Sequence, residues 1–329
     1  MYLLNLKNKL WDVIAEKEIT RKNRLEEYKK NSDSLTSLYC SFSDNWFTIV
    51  KRIGSKSMCG EVYLLRMATG EQIAIKIMPI TNEKSKQENN NEISIATKAS
   101  QLVLDGKTDH FPLVYGHNHC KNTEYDEKSN FILNSQTWCL QNQISGEKGR
   151  KQGIKFFKST HNMDINQKIE YVNKNMPDLD IKMELESDVL LSELAWGDLH
   201  SFLVENVEKM SNDDLYQMFE NILEIIMDMQ NKLHIVHNDF HTGNILVDMS
   251  RIGFNLLAHD FGKSKEIQIF TTEDYIQDVE TIASKLIENY FENHPYMGSR
   301  LRDVLDFIEK EPYNDKIMMN IAELWKKIQ

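Results

Sequence analysis

VHNDFHTGNILVDM, residues 236–249, places a His, an Asp, a second His and an Asn at short fixed offsets ahead of an apolar run. Polar residues set between apolar runs in this way indicate side chains that buried backbone holds in one geometry. The pattern predicts a loop that carries Asp239 and Asn244, followed by the short strand NILVDM at 244–249. An acid and an amide spaced this closely are candidates for proton transfer and for cation binding.

A second apolar strand follows a few residues further on and ends in an acid. It is LLAHDFGKS, residues 256–264, and SRIGF at 250–254 separates it from the first strand. Two strands joined in this way form a hairpin, so its open end should return Asp260 beside Asn244. Two oxygen ligands held together suit a hard cation such as Mg²⁺, and Asp239 then remains available as a base or orienting group. The competing interpretation, capping acids and a turn glycine, is disfavoured because both motifs occur in this order against apolar strands.

A lysine lies inside an apolar strand in the N-terminal half of the chain. FTIVKRIGSKSMCGEVYLLRMATGEQIAIKIMPI, residues 47–80, has the alternation typical of three strands joined by turns. In the third strand Lys76 shares a face with Ala74 and Met78, and a buried lysine requires a counter-ion. Glu92, on the helix predicted from KQENNNEISIATKASQLVL, can supply one. The alternative is a surface lysine whose ammonium group reaches solvent.

A turn rich in small residues joins the first two of these strands. RIGSKSMCGEV, residues 52–62, has Gly54 and Gly60 near its ends. Backbone amides in such a loop can approach phosphate groups closely. An ordinary hairpin turn explains the same residues equally well, so this loop by itself does not decide between the two.

The composition argues against several classes of function. The chain has 329 residues and a formal net charge of -11, which provides no basic footprint for nucleic acid. Four scattered cysteines without a CxxC pair favour reduced thiols over a zinc site or a disulfide framework. The N-terminal segment lacks the pattern of a signal peptide, and no apolar run has the length of a membrane span. We therefore expect no nucleic-acid partner, no membrane partner and a cytoplasmic location.

The order of predicted elements divides the chain into three parts. Residues 1–45 have a charged helical pattern and are expected to form an N-terminal helical extension. Residues 46–194 are β-rich, with a polar insertion at about 121–187, and residues 195–329 are mainly helical. One of these helices is expected to start after Ser211 as N-cap, with acids in its first turn. A β-rich part joined to a helix-rich part predicts an α+β protein with two lobes.

These features occur together, and in this order, in the protein kinases. Lys76 within IAIK, Glu92 on the next helix, HND followed by Asn244, and DFG at 260–262 resemble the protein-kinase fold. The resemblance covers about residues 47–310 apart from the insertion, and the motif order makes it specific. It implies an antiparallel β N-lobe, a mainly helical C-lobe, and ATP bound between them.

The resemblance also implies the roles of the catalytic residues. Lys76 would hold the α- and β-phosphates of ATP and pair with Glu92. Asp239 would orient and deprotonate the acceptor hydroxyl. Asn244 and Asp260 would hold the Mg²⁺ ions that neutralise charge between the β- and γ-phosphates.

The resemblance also implies a set of contacts with the nucleotide. SELAWGD, residues 192–198, is similar to the hinge, where backbone groups of Glu193 and Ala195 would meet adenine. Asp198 would face the ribose, and Ser192 would be the gatekeeper. The remaining nucleotide contacts implied by the resemblance are those of Gly54, Ser55, Gly60, Val62, Ala74 and Leu246.

Three further residues have expected structural roles. By the resemblance, His237 and Phe261 would belong to an internal spine, where they pack rather than take part in the chemistry. EDYIQDVETIASKLI is the next expected helix, and Asp278 would be its inward-facing acid.

Four departures from the family pattern limit what the resemblance implies. The glycine loop has one extra residue and carries Lys56, and the insertion near 121–187 is large. His241 stands where common Ser/Thr kinases carry a lysine, and HNDFHTGN is closer to haspin-like kinases and to aminoglycoside- and choline-kinase-like phosphotransferases. His241 can still contact the γ-phosphate, more weakly than a lysine and with pH dependence. No Ala-Pro-Glu motif precedes the helix that follows DFG.

Three functions are compatible with these residues. HFPLVYGHNHC, NEISIATKA and HDFGKS resemble divergent Ser/Thr protein kinases of large DNA viruses, of iridovirus and mimivirus type. This favours ATP- and Mg²⁺-dependent phosphorylation of protein Ser/Thr hydroxyls, in the cytoplasm or, for a viral protein, in the host cytoplasm or virion. The alternatives are a small-molecule phosphotransferase on the same fold, which His241 and the missing Ala-Pro-Glu favour, and a pseudokinase scaffold. The scaffold is least favoured because every residue that the chemistry needs is present.

Overall fold

The computed structural model describes most of the chain outside its N-terminal segment and the insertion. The extension at 1–45, most of the insertion at 121–187, and the glycine loop with Gly54, Ser55 and Gly60 lie outside the described residues. The predictions for these segments therefore stay predictions. The described residues are 47–53, 61–67, 72–80, 83–122, 167, 170, 171, 174, 185–248, 255–292, 294, 296–310 and 316–327.

The chain divides into two compact units. One contains the described residues of 25–93 and 114–194, and the other contains 94–113 and the described residues of 195–329. Residues 94–113, which sequence order assigns to the N-lobe, thus group with the helix-rich unit. The reason is visible in their hydrogen bonds, since the amide of Ala258 donates to the carbonyl of His110 at 2.9 Å.

The first unit is built on a five-stranded antiparallel sheet, and the three strands predicted from 47–80 are confirmed. Ile73, Ile75 and Ile77 are buried on one face of the central strand, and Ala74 and Met78 are buried on the other. The strands are β1 (Phe47–Ile53), β2 (Glu61–Met67), β3 (Gln72–Pro79), β4 (Val114–Asn122) and β5 (Leu185–Ser192), in the spatial order β1-β2-β3-β5-β4.

Helix α1, Glu83–Leu104, follows β3, and a buried asparagine ties it to the sheet. The Nδ2 group of Asn89 donates to the carbonyl oxygen of Met78 at 2.9 Å and to Oδ2 of Asp188 at 3.0 Å. These bonds set the rotation of the helix about its axis against β3 and β5. Residues three apart share a helix face, so Glu92 also faces the sheet.

The apolar segments HFPLVYGHNHC, 110–120, and DVLLSELAW, 188–196, predict two further strands, and β4 and β5 are offset from them. β4 begins at Val114 rather than at His110, and Pro112, which cannot donate a ladder hydrogen bond, precedes it. β5 ends at Ser192 and not at Trp196, because its pairing with β3 and β4 ends there.

One cysteine contradicts the expectation of four reduced thiols. Cys120, buried near the end of β4, is disulfide-bonded. Cysteine spacing in a sequence does not reveal which residues the fold brings together. Because disulfides persist mainly in oxidising compartments, the cysteine argument no longer supports a cytoplasmic location.

The second unit is mainly helical. The helix Asn212–Asp228 begins after the predicted N-cap Ser211, whose side chain and that of Asp214 form a reciprocal capping box. A π-helical turn, Met229–Leu233, continues this helix, and a second, Ile287–Phe291, continues the helix Thr272–Leu286. The helices after α1 are α2 (Leu199–Asn206), α3 (Asn212–Asp228), α4 (Thr272–Leu286), α5 (Met297–Lys310) and α6 (Ile317–Lys327).

An aromatic cluster joins the last helix to α3. The rings of Trp325 and Tyr216 stack at 5.1 Å between centroids, and Phe219 lies 4.5 Å from Trp325. The indole N–H of Trp325 donates to the carbonyl of Tyr216 at 3.3 Å. A buried indole therefore keeps its hydrogen bond while filling the core beside α3.

Short strands carry the motif residues. β8 (Ile245–Asp248) and β9 (Asn255–Ala258) pair antiparallel, which confirms the predicted hairpin, and β6 (Gly197–Asp198) pairs with β8. β7 (Ile235–Val236) pairs with β10 (Lys265–Glu266). An antiparallel sheet in one unit and mainly helices in the other confirm the α+β class.

None of the helices that the structure describes combines the length and the apolar character of a bilayer-spanning segment.

Gly298 provides a test of packing in the helical unit. An ideal Cβ at this position would lie 2.3 Å from the carbonyl oxygen of Phe291, which is backbone and cannot rotate away. We expect Gly298→Ala to lower the free energy of unfolding by about 1–3 kcal/mol, measured by urea titration. Gly197→Ala is the control, because no atom lies within 4 Å of its built Cβ. Equal stability of the two variants would contradict this packing.

Candidate active site

Left-handed backbone occurs at non-glycine residues in and around the segments that carry the motif residues. Among the described residues, the non-glycine positions with positive φ are His234 (56°), Asn238 (61°) and Asp260 (66°). Asn238 directly precedes Asp239, and Asp260 is the acid of Asp-Phe-Gly. Left-handed non-glycine residues carry strain that surrounding structure must hold, and such residues cluster at functional sites.

A buried carboxylate holds the loop. Asp278, on α4, accepts hydrogen bonds from the amide of His237 to Oδ2 at 2.8 Å and from the amide of Asn238 to Oδ1 at 3.1 Å. Its side chain is 1 % exposed, which confirms the predicted inward-facing acid. Burial raises the pKa of Asp278, while His237 and the two backbone donors oppose that rise. The two bonds fix the backbone immediately ahead of Asp239.

His237 and Phe261 pack against each other, as the resemblance implied. Their rings lie 5.4 Å apart, and the ring of Phe240, on the loop between β7 and β8, lies 5.3 Å from that of His237. The Nε2 group of His237 donates to the carbonyl of His259 at 3.0 Å. A completely buried imidazole with this bond connects the loop to the segment that precedes Asp260.

The backbone of Asp239 orients the side chain of Asn244. Its Nδ2 group donates to the carbonyl oxygen of Asp239 at 2.9 Å, which directs the amide oxygen elsewhere. The amide of His259 donates to the carbonyl of Asn244 at 3.1 Å. The predicted return of the Asp260 segment beside Asn244 is therefore present in the backbone.

Asn244 and Asp260 suit a hard cation by their chemistry. Both offer oxygen, and the Nδ2 bond of Asn244 identifies its oxygen as the atom left for a ligand. Among the described residues, no group of three or more His, Cys, Asp or Glu could hold a metal by itself.

Asp239 is not free, as the sequence pattern had suggested, but paired. The Nζ group of Lys263 lies 2.7 Å from its Oδ2. Sequence reasoning missed Lys263, although it directly follows Asp-Phe-Gly in the chain. The turn at Phe261–Lys263 brings this side chain back to the loop that carries Asp239.

His241 lies on the other side of the same carboxylate. Its Nε2 atom is 3.9 Å from Oδ1 of Asp239, and its Nδ1 atom accepts a hydrogen bond from the amide of Gly243 at 3.0 Å. Burial lowers the pKa of His241 below its ordinary value of 6.5, and the nearby carboxylate of Asp239 opposes this. His241 is therefore neutral at pH 7 and serves as the N-cap of the turn Thr242–Asn244.

In the β unit, Lys76 and Glu92 form the ion pair that the apolar strand required. Nζ of Lys76 lies 3.0 Å from Oε1 of Glu92, with side chains 13 % and 5 % exposed. The alternative of a surface lysine is therefore wrong. Burying the two charged groups costs hydration free energy, and their mutual attraction offsets that cost only in part. A contribution to stability is therefore a weak explanation for a buried ion pair.

The residues assigned to adenine and ribose are distributed over both units. Val62, Ala74 and Glu193 lie in the β unit, with Ala74 and Glu193 buried. Ala195, Asp198 and Leu246 lie in the helical unit. Their contacts with a nucleotide stay predictions.

Asp198 has a structural role that sequence reasoning missed. Its Oδ1 atom accepts a hydrogen bond from the amide of Ser201 at 2.7 Å, which makes Asp198 the N-cap of α2. An acid three residues ahead of a helical amide is the sequence signal for such a cap. Any contact with ribose would use the second carboxylate oxygen.

A family comparison agrees with this architecture. Residues 185–293, less than half of the chain, match the ABC1 atypical kinase-like domain. The matched range includes Asp239, Asn244 and Asp260. A search of curated proteins finds no match. The match and the α+β architecture together identify a protein-kinase-like fold.

The role of Asp278 can be tested by changing one atom. In Asp278→Asn an amide nitrogen replaces a carboxylate oxygen, so one of the two buried backbone donors loses its acceptor. We expect the free energy of unfolding to fall by about 1–3 kcal/mol in urea titration. Glu273→Gln, an exposed acid on the same helix, should change it by less than about 1 kcal/mol. An Asp278→Asn variant as stable as Glu273→Gln would show that the loop does not depend on this carboxylate.

His241 predicts a specific pH dependence of stability. Because its pKa is lowered in the folded chain, its contribution is present above pH 6.5 and is lost as the pH falls through the folded-state value. Protonation of Nδ1 also removes the acceptor for Gly243. Asn is an equally good N-cap without a titrating ring, so we expect His241→Asn to match the wild type near pH 7.5 and to lose less stability below pH 6.5. Thermal unfolding across this range measures the difference, and parallel curves would contradict it.

Proposed function

We propose that this protein is an ATP- and Mg²⁺-dependent phosphotransferase that phosphorylates Ser/Thr hydroxyls of proteins. The observation that carries the proposal is the loop in which Asn244 binds the backbone of Asp239 and pairs with the segment leading to Asp260. Asp239 and Asn244 on this loop, with Asp260 just after strand β9, offer the oxygen-bearing side chains that positioning of a hydroxyl and a metal-bound phosphate requires. The kinase-like fold and the family match support the same class of reaction.

The proposed reaction is a direct displacement at the γ-phosphorus. The acceptor hydroxyl gives its proton to the Asp239 carboxylate, and its oxygen forms a bond to the γ-phosphorus. The bond from that phosphorus to the bridging oxygen breaks, and ADP leaves with the electron pair. Lys76, held by Glu92, binds the α- and β-phosphates. Asn244 and Asp260 would hold Mg²⁺, which when bound neutralises phosphate charge.

A polypeptide acceptor is favoured by the open surroundings of the acid. The side chain of Asp239 is 32 % exposed, so a bulky acceptor can reach it. Ile269, after Asp-Phe-Gly on the same unit, is 87 % exposed and offers an apolar contact to a peptide. Small-molecule sites are usually concave and largely enclosed.

A small-molecule acceptor is the second candidate. His241 in place of a lysine and the lack of an Ala-Pro-Glu motif argue for it, as does similarity to an atypical kinase-like domain. A pseudokinase scaffold is less favoured because Lys76, Glu92, Asp239 and both proposed metal ligands are present. The viral resemblance, the cytoplasmic location and the expectation of no nucleic-acid or membrane partner stay predictions.

The test is transfer of labelled γ-phosphate from Mg-ATP to generic acidic and basic protein acceptors. We expect label on Ser or Thr, and we expect Asp239→Asn to lower the rate by ~10²–10⁴-fold because the proton acceptor is lost. Asp303→Asn, which removes an exposed acid on α5, is the matched control and should retain the rate.

The outcomes separate the candidates. Label on a metabolite pool and not on protein, with the same dependence on Asp239, would establish the small-molecule enzyme. Binding of Mg-ATP without any labelled product would establish the scaffold. An active Asp239→Asn variant would overturn the assignment of the base.

A further inference from the structure

Phosphoryl transfer at Asp239 requires positive charge close to the transferred group, because negative charge develops on its oxygens. The two groups that flank the Asp239 carboxylate are His241, 3.9 Å from Oδ1, and Lys263, 2.7 Å from Oδ2. Of these two groups, the ammonium of Lys263 makes the closer contact, so it is the charged group placed against the carboxylate.

The backbone of Lys263 is fixed to the catalytic loop. Its carbonyl accepts a hydrogen bond from Nδ2 of Asn238 at 3.2 Å, beside Asp239 in the chain. The next residue, Ser264, donates from its amide to the carbonyl of Phe261 at 3.0 Å and closes the turn. Lys263 is thus anchored to the loop at its backbone while its side chain extends over the acid.

The side-chain pair is weak enough to exchange partners. Lys263 is 47 % exposed and Asp239 is 32 % exposed, and ion pairs at such exposure contribute little to stability. The ammonium group can therefore turn from the carboxylate to a phosphate oxygen at small cost. Lysine binds phosphate as a compact point charge and does not need a fixed geometry to do so.

We propose that Lys263 is a catalytic residue that binds the γ-phosphoryl group beside Asp239, in place of a cation at position 241. The inference rests on the proposed function, since it deepens the description of that same site. Lys263 takes no part in the proton transfer. The acceptor proton goes to Asp239, the new bond joins the acceptor oxygen to the γ-phosphorus, and ADP leaves as before.

The first measurement is nucleotide binding, which does not depend on turnover. We expect Lys263→Met to weaken binding of a Mg-bound non-hydrolysable ATP analogue about tenfold by calorimetry and to leave Mg-ADP unchanged. Lys265→Met is the matched control, because it removes an exposed lysine two residues further on in β10. The control should bind both nucleotides as the wild type does.

The second measurement compares kcat among variants in which the positive charge is removed from position 263 or moved to position 241. We expect Lys263→Met to lower kcat on the order of 10²-fold with an unchanged melting temperature. In the double variant His241→Lys with Lys263→Met, the new ammonium lies on the other side of the same carboxylate. We expect it to recover most of the lost kcat. A merely structural lysine would not be rescued from position 241.

The outcomes distinguish this inference from the proposed function. An active wild type whose Lys263→Met variant is equal in kcat and in analogue binding would refute the role of Lys263 and leave the function intact. A wild type without turnover, whose Lys263→Met variant still loses the ATP analogue selectively, would refute the function and support the phosphate contact. A wild type that binds neither nucleotide would overturn both.

Discussion

The site depends on one buried carboxylate. The carboxylate of Asp278 accepts hydrogen bonds from the backbone amides of His237 and Asn238. These two bonds determine where the chain turns before Asp239. The geometry of Asn244 and Lys263 follows, because each hydrogen-bonds to the backbone or side chain of residues 238–239. The helix that carries Asp278 is in turn started by the capping box of Thr271 and Asp274, one turn earlier. A helix start thus positions the loop that carries Asp239.

Two ion pairs, one in each unit, have opposite energetic character. Lys76 and Glu92 are nearly enclosed, so they lose most of their hydration, and a well-packed apolar pair would serve stability at least as well. Lys263 and Asp239 remain solvated, and their contact costs little to break. The first arrangement suits a lysine that must stay in one place for a phosphate. The second suits a lysine that changes partner when a phosphate arrives.

The motif residues were predictable, whereas several of their partners were not. Asp239, Asn244 and Asp260 stand beside apolar strands whose pairing follows from a short connection, so a hairpin could be predicted from sequence. Lys263 required the turn after Asp260, and the cap made by Asp198 required the exact start of α2. The disulfide at Cys120 required knowledge of which segments the fold brings together.

The sequence by itself determined the α+β class, the hairpin, the Ser211 cap of α3 and the pairing of Lys76 with Glu92. These depend on period, spacing and the cost of an unpaired buried charge, all of which are local or nearly so. Tertiary structure decided the electrostatics of the site. The pKa of His241 depends on its burial. The cationic partner of Asp239 is the side chain of Lys263, which lies 24 residues further along the chain. Burial and proximity are properties of the folded chain, because they arise from contacts between segments distant in sequence.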